Sequence, residues 1–356
     1  MAEVLETAKA RLTWGILIRV GITISILGYL GYKVHWGELA VQLMQSDPVW
    51  LGLAFVLLGI GFLLASVRWW LLLRVQEIAV PLQVVTALTF IGQFFNSFLL
   101  GTTGGDIIKV FYICRYTASK KTSAALSIIM DRVIGLFILL CVVLAILPWQ
   151  IEVMRQRDEA RAIAYALLIL FGVILGLAII VAVMPFRQLP MFFHELWRKI
   201  PRHDIIESLV VGFRQHGRSQ RLTFAAVICS VAIWLLIFTA GHCLVQAMHL
   251  HITYVQILTI LAIVTCVVSL PISIGGHGIR EGMFVIMFIA FGIISIDKQT
   301  GAGQEPAILF SILFFALFTG WSLVGGLIYL TFSPFKNMST ARNIVSASGS
   351  NQPIQI

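Results

Sequence analysis

Charged residues are scarce in this chain, 12% of the total against 59% hydrophobic, where a soluble domain carries about 25% charged. A soluble globular fold is excluded, because too little polar surface exists to cover it. Cysteines number only five; Cys141, Cys229, Cys243 and Cys266 lie within apolar runs and Cys114 beside one, where a thiol serves as a small hydrophobe rather than as half of a disulfide framework. No GxxxxGK followed by Ser or Thr is present, so ATP hydrolysis has no support, and no nucleophile stands beside a base. His242, His249 and His251 match no zinc spacing and read as interfacial histidines, so neither metal nor cofactor is expected. The net charge of +9 requires no nucleic acid, because the basic residues crowd the ends of apolar runs, where they orient and anchor a membrane protein.

What remains is apolar sequence in spans. A bilayer crossing needs roughly 20 mostly apolar residues, and such runs occur near 14–32, 49–73, 123–147, 162–184, 222–246 and 306–332. The first follows Lys9 and Arg11 without a small-residue cleavage site and reads as a retained anchor. Trp36, Leu39, Ala40, Leu43 and Met44 then form the stripe of a short interfacial helix. Ser46-Asp47-Pro48 caps and starts the second span, which ends in Arg68, Trp69, Trp70 and Arg74, read as an aromatic and basic edge at the cytoplasmic interface. The loop at 148–161 balances its charges, whereas 185–221 is rich in arginine and carries two apolar stripes, placing it on the cytoplasmic membrane surface. Residues 337–356 lack apolar periodicity and read as a disordered cytoplasmic tail.

Two stretches break this pattern. Between Pro81 and Tyr116, Gly101-Thr102-Thr103-Gly104-Gly105-Asp106 interrupts an apolar segment, and neither side is comfortable as a span alone. Between about 257 and 296, Pro271-Ile272-Ser273-Ile274-Gly275-Gly276-His277-Gly278-Ile279-Arg280-Glu281-Gly282 does the same. Non-helical backbone at membrane depth persists only when buried in protein or lining a watery cavity, and charge there is costly, so each break is a candidate site. Asp131-Arg132 adds a third charged point, ten residues beyond Lys121 and hence roughly 15 Å deep at about 1.5 Å per residue.

The two breaks resemble one another. Both read Gly-Gly-x-x-Ile-cation, ending at Lys109 and Arg280, and Gly104 and Gly275 are 171 positions apart, close to half the chain. The order of span, interfacial helix, span, hairpin, span recurs in both halves, while charge places the first hairpin's mouth inside and the second's outside. The expected fold is an all-α integral membrane protein of two inverted-topology halves, each with a re-entrant glycine-broken hairpin, a transporter architecture with a midplane site. Residues 1–336 form one transmembrane domain, with half one about 12–148 and half two about 160–334.

The first hairpin with Lys109, the stretch Asp131-Arg132-Val133-Ile134-Gly135, and Gly275-Gly276-His277-Gly278-Ile279-Arg280-Glu281 together resemble the three signatures of the lysylphosphatidylglycerol synthase transmembrane-region family of flippase-like proteins. The chain departs from that pattern at Leu100 and Ile274, where proline is common, at Lys109 for arginine, and at His277 for an aliphatic residue. The resemblance covers nearly the whole chain but includes no soluble aminoacyl-transferase domain. It therefore implies lipid translocation and not the synthase activity. The expected location is a bacterial plasma or inner membrane, with both termini cytoplasmic.

The candidate substrate-binding residues are Arg280, Glu281, Arg132, Asp131, Lys109, Asp106, Gly104, Gly105, Gly275, Gly276 and His277. A guanidinium matches a phosphate with a fixed fork of donors, which puts Arg280 first; the competing role is an ion pair with Glu281 or Asp131. Adjacent Asp131 and Arg132 point different ways on a helix, so each needs another partner. Asp106 follows two glycines and suits an N-cap as well as a ligand, while Lys109 suits a headgroup or snorkels to the interface. The glycines permit tight turns and close backbone approach, and their N–H groups suit an anion. The expected activity is a flippase for an anionic phospholipid, with a polyprenyl-phosphate or glycolipid second; a membrane-embedded headgroup transferase and a non-catalytic scaffold are the alternatives. No enzyme activity is expected. The expected partners are lipids with anionic headgroups and no nucleic acid, with a second copy of the chain or lipid-synthesis enzymes left open.

Overall fold

A computed structural model describes residues 46–98, 104–117, 120–146, 172, 219–269, 279–295 and 303–332. Among them are eight helices and no strand: α1 (Pro48–Val75), α2 (Leu82–Phe98), α3 (Gly104–Tyr116), α4 (Lys121–Ile146), α5 (Gln220–Ala247), α6 (Tyr254–Ser269), α7 (Ile279–Ala290) and α8 (Glu305–Thr331). The expected helices at 14–32, 36–44 and 162–184, the stripes in 185–221 and the tail lie outside the described residues, as do Gly275, Gly276 and His277.

Four helices, α1, α4, α5 and α8, run for 28, 26, 28 and 27 residues and are apolar enough to cross a membrane. At about 1.5 Å per residue each exceeds the roughly 30 Å of a hydrocarbon core. Their limits fall within two residues of the expected spans. Only 22% to 39% of each apolar window is buried within the protein, so most of its surface faces outward, with Leu53, Val56, Ile60 and Leu63 on α1 and Phe224, Ile228 and Leu235 on α5 exposed. Such surfaces are stable in lipid and not in water.

The other four are short: α2 and α3 have 17 and 13 residues, α6 and α7 have 16 and 12. At about 1.5 Å per residue they reach roughly 25 Å at most, less than a crossing. Each short pair falls between two long helices, and the residues joining its members, 99–103 and 270–278, lie outside the described ones.

The starts follow from local chemistry. Asp47 caps α1, its Oδ1 accepting from the Val49 N–H at 2.8 Å, and Pro48 follows in the first turn, where a missing N–H costs nothing. The Asp47 N–H also donates to the Ala247 carbonyl at the end of α5, tying the two longest helices at one end.

The most extensive packing is between α1 and α5. Every other main packing has a counterpart in the opposite half: α1 with α2 and α5 with α6, α2 with α3 and α6 with α7, α3 with α4 and α7 with α8. Across the halves, α2 packs on α8 as α6 packs on α4. Exchanging the first four helices for the last four thus maps the packing onto itself. Close approach is bought with glycine at one such seam, where a Cβ on Gly325 of α8 would collide with the Phe90 carbonyl of α2. Beside it, Trp321 stacks on Phe55 at 4.8 Å and its Nε1–H donates to the Phe55 carbonyl at 2.8 Å, joining α8 to α1.

The expected cytoplasmic edge at Arg68 is not where that residue lies. Arg68 is two turns inside α1 and its side chain is 11% exposed. Trp69 is also buried, its Nε1–H donating to Ser127 Oγ of α4 at 3.2 Å. The basic end of the helix is Arg74, stacked on Trp70 at 4.7 Å. Arg68 departs from interfacial behaviour because α4 presents a carboxylate to it.

Candidate functional site

The short helix pairs bring charge together in the interior. Where α2 ends and α3 begins, Asn96 accepts from the Gly105 N–H at 2.7 Å, satisfying one of the free donors of the α3 start. A Cβ on Gly105 would collide with the Gly92 carbonyl of α2, so glycine is required there by proximity. The Lys109 stem, one turn on, lies over Gly92, and its Nζ stands 5.0 Å from the centre of the Trp69 ring. Lys109 is buried and within electrostatic reach of Asp131, Asp106, Arg132 and Arg68. It neither snorkels nor lines the cavity described next.

Asp131 and Arg132, adjacent in the middle of α4, turn to different helices as their spacing on a helix requires. Asp131 accepts from Arg68 Nε at 2.7 Å, and the same guanidinium donates through Nη1 to Ser230 Oγ of α5 at 3.1 Å. This pair is closed off, with side chains 11% and 12% exposed. Gly135, one turn after Asp131, leaves room for the Arg68 guanidinium, which a Cβ would meet at 3.1 Å. Arg132 instead forks with Asp106 of α3, Nε to Oδ2 at 2.8 Å and Nη2 to Oδ1 at 3.2 Å, and keeps half of its side chain exposed. Asp106 is therefore not an N-cap. It is the third residue of α3 and its carboxylate serves Arg132.

On α7, Arg280 Nη2 donates to Glu281 Oε1 at 2.7 Å and Nε to Ser311 Oγ of α8 at 3.1 Å, while the guanidinium lies 4.4 Å from the Phe315 ring. Of the two ion-pair partners considered for Arg280, Glu281 is the one observed. Arg132 and Arg280, from opposite halves, both face a cavity of about 290 Å³. Gln93, Asn96 and Ser97 of α2 and Thr265 of α6 contribute uncharged polar groups to its wall, and Trp234, Ile237, Val264, Val268, Phe284, Phe314, Phe315 and Phe318 complete it. Ser97 and Ser322 share a hydrogen bond of 2.7 Å across the α2–α8 seam. The result is a polar, cationic surface continuous with an aromatic one, which suits a charged group attached to an apolar chain.

Of the residues singled out from sequence, the fold gathers Arg132, Asp106, Arg280 and Glu281 around or beside this cavity, and Asn96 ties Gly105 to its wall. Asp131 and Lys109 belong to the adjoining ion-pair cluster. Sequence reasoning missed Arg68, Gln93, Ser97 and the aromatic wall. Gln93, Asn96 and Ser97 did leave a signal, since their spacing of three and four puts them on one face of an otherwise apolar helix. The phenylalanines left none, being indistinguishable from core or lipid-facing residues. Among the described residues no three His, Cys, Asp or Glu gather as a metal site, and His242 lies against Gln246 and the Tyr254 ring instead.

The family model described as the lysylphosphatidylglycerol synthase TM region matches residues 16–325. A UPF0104 membrane protein of Methanothermobacter thermautotrophicus is 23% identical over 285 residues, covering 75% of this chain and 81% of the relative. A UPF0104 membrane protein of Pyrococcus horikoshii is 23% identical over 307 residues, covering 78% of this chain and 87% of the relative. With its long apolar helices and a family match across most of its length, the chain belongs to the lysylphosphatidylglycerol synthase TM region family and is a multi-pass integral membrane protein.

Proposed function

We propose that the protein is a lipid translocase, moving an anionic lipid between leaflets through the cavity between its halves. The observation that carries the reading is the pair Arg132 and Arg280, contributed by opposite halves to one cavity with a polar rim and an aromatic wall. A guanidinium binds a phosphate with directed donors and stays charged at any depth, and the aromatic side accommodates apolar portions of the same molecule. Phospholipid is the first substrate class, with a polyprenyl-phosphate or glycolipid second. The self-matching packing of the two sets of four helices supports inverted halves, each gating one face of a shared site. In this reading the short pairs are re-entrant hairpins, the protein resides in the cell membrane with both termini cytoplasmic, and residues 1–336 act as one domain. The relatives compared above are archaeal, so the reading is not confined to a bacterial inner membrane. Transport is favoured over headgroup transfer because Asp106 and Glu281, the acids nearest the cavity, are engaged by guanidiniums and poorly placed to act as bases.

The test is lipid scrambling or flipping in liposomes carrying the purified protein, with a fluorescent analogue of phosphatidylglycerol. Wild type is expected to exchange the probe between leaflets, and Arg132→Ala with Arg280→Ala to lose that exchange. Full exchange by both variants would refute the assignment.

A further inference from the structure

Each cavity arginine is already held by a carboxylate on the first turn of a short helix. Asp106, the third residue of α3, forks Arg132 at 2.8 and 3.2 Å. Glu281, the third residue of α7, takes Arg280 at 2.7 Å. The two acids are not at equivalent positions of the repeated glycine motif, where Asp106 faces His277 and Lys109 faces Arg280. The halves thus reach the same arrangement, one guanidinium and one first-turn carboxylate at the cavity, by different residues.

Resting on the translocase reading above, we infer that Asp106 and Glu281 are internal competitors for the substrate's phosphate and set the affinity and charge selectivity of the site. A carboxylate and a phosphate ask the same thing of a guanidinium: two oxygens, coplanar donors and a negative charge. An incoming phosphate must displace the carboxylate or share the guanidinium against like-charge repulsion, and both weaken binding. On departure the carboxylate reclaims its arginine, so the empty site is never left with a bare cation, which would be costly above all at Arg280, whose side chain is 14% exposed. A transporter gains by this, because a site that holds its cargo too tightly releases it slowly. The acids also sit in the first turns of α3 and α7, so the exchange of carboxylate for phosphate changes what ties α3 to α4.

The experiment titrates full-length protein in detergent with dioctanoyl phosphatidylglycerol and, separately, with zwitterionic dioctanoyl phosphatidylcholine, by isothermal calorimetry. Asp106→Asn and Glu281→Gln keep shape and remove the competing charge. Each is expected to bind the anionic probe about ten- to a hundredfold more tightly, the range of one charge-assisted hydrogen bond, with the zwitterionic probe gaining less, since its phosphate is the same but its ammonium loses a carboxylate partner, and with flipping of the anionic analogue slowed. Isosteres that fold, by circular dichroism, yet bind the anionic probe no better than wild type overturn the inference while leaving the translocase reading standing. A wild type that binds both probes equally sinks that reading and the inference with it. Should Asp106→Asn fail to fold, Glu281→Gln decides alone, because its bond to Arg280 lies within one helix and ties no two together.

Discussion

The Arg68–Asp131 pair offers the sharpest test of the interior electrostatics. Both side chains are nearly closed off and joined at 2.7 Å, and Ser230 takes a further guanidinium donor. Removing one partner of a buried ion pair leaves an uncompensated charge and typically costs about 3–5 kcal/mol, whereas an exposed pair is worth under about 1 kcal/mol. The surroundings make the two single substitutions unequal. Lys109 and Arg132 add positive charge near Asp131, with Asp106 the other carboxylate acting on Lys109. Asp131→Asn strands Arg68 beside other cations and is expected at the upper end of that range. Arg68→Met leaves Asp131 facing Lys109 and is expected nearer about 3 kcal/mol. The double variant Arg68→Met with Asp131→Leu removes both charges and is expected to cost less than either single change, since replacing a whole buried pair by apolar groups is often close to neutral. Unfolding in mixed micelles of rising sodium dodecyl sulfate fraction, followed by tryptophan fluorescence, measures all three. Single variants costing under about 1 kcal/mol, or a double variant as unstable as the sum of the singles, would refute the pairing.

Two further outcomes follow from close geometry. Gly105→Ala drives a methyl into the Gly92 carbonyl, a collision with backbone that cannot rotate away, so a loss at or beyond the usual overpacking cost of about 1–3 kcal/mol is expected in the same unfolding assay; Gly52→Ala, which meets nothing within 4 Å, serves as the tolerated control. Asp47→Ala removes the acceptor for the Val49 N–H and is expected to cost about 0.5–2 kcal/mol, with Asp47→Ser restoring most of it.

The long helices were legible because their signal is local. A run of about 20 apolar residues has one stable use in a bilayer, and α1, α4, α5 and α8 begin and end within two residues of where composition placed them. The short helices α2, α3, α6 and α7 fall on either side of the two glycine stretches, which themselves lie outside the described residues. Arg68 was misread because a cation near the end of an apolar run has two stable solutions, the interface and a buried partner, and only the position of Asp131, 63 residues away, distinguishes them. Asp106 was read as an N-cap or a ligand at a helix start; it lies in the first turn of α3 instead, and its partner 26 residues on was beyond any local rule.

By itself, the sequence determined that this is a polytopic helical membrane protein, where its long helices run, and which charges are too costly to be incidental, because these depend on transfer free energy and on helix geometry residue by residue. Only the tertiary structure decided which charge pairs with which, that Lys109 and Asp131 stand apart from the cavity while Arg132 and Arg280 share it, and that phenylalanines of α7 and α8 complete its wall. Those outcomes depend on which helix faces which. Pairing in a low-dielectric interior is decided over a few ångströms between residues far apart in the chain.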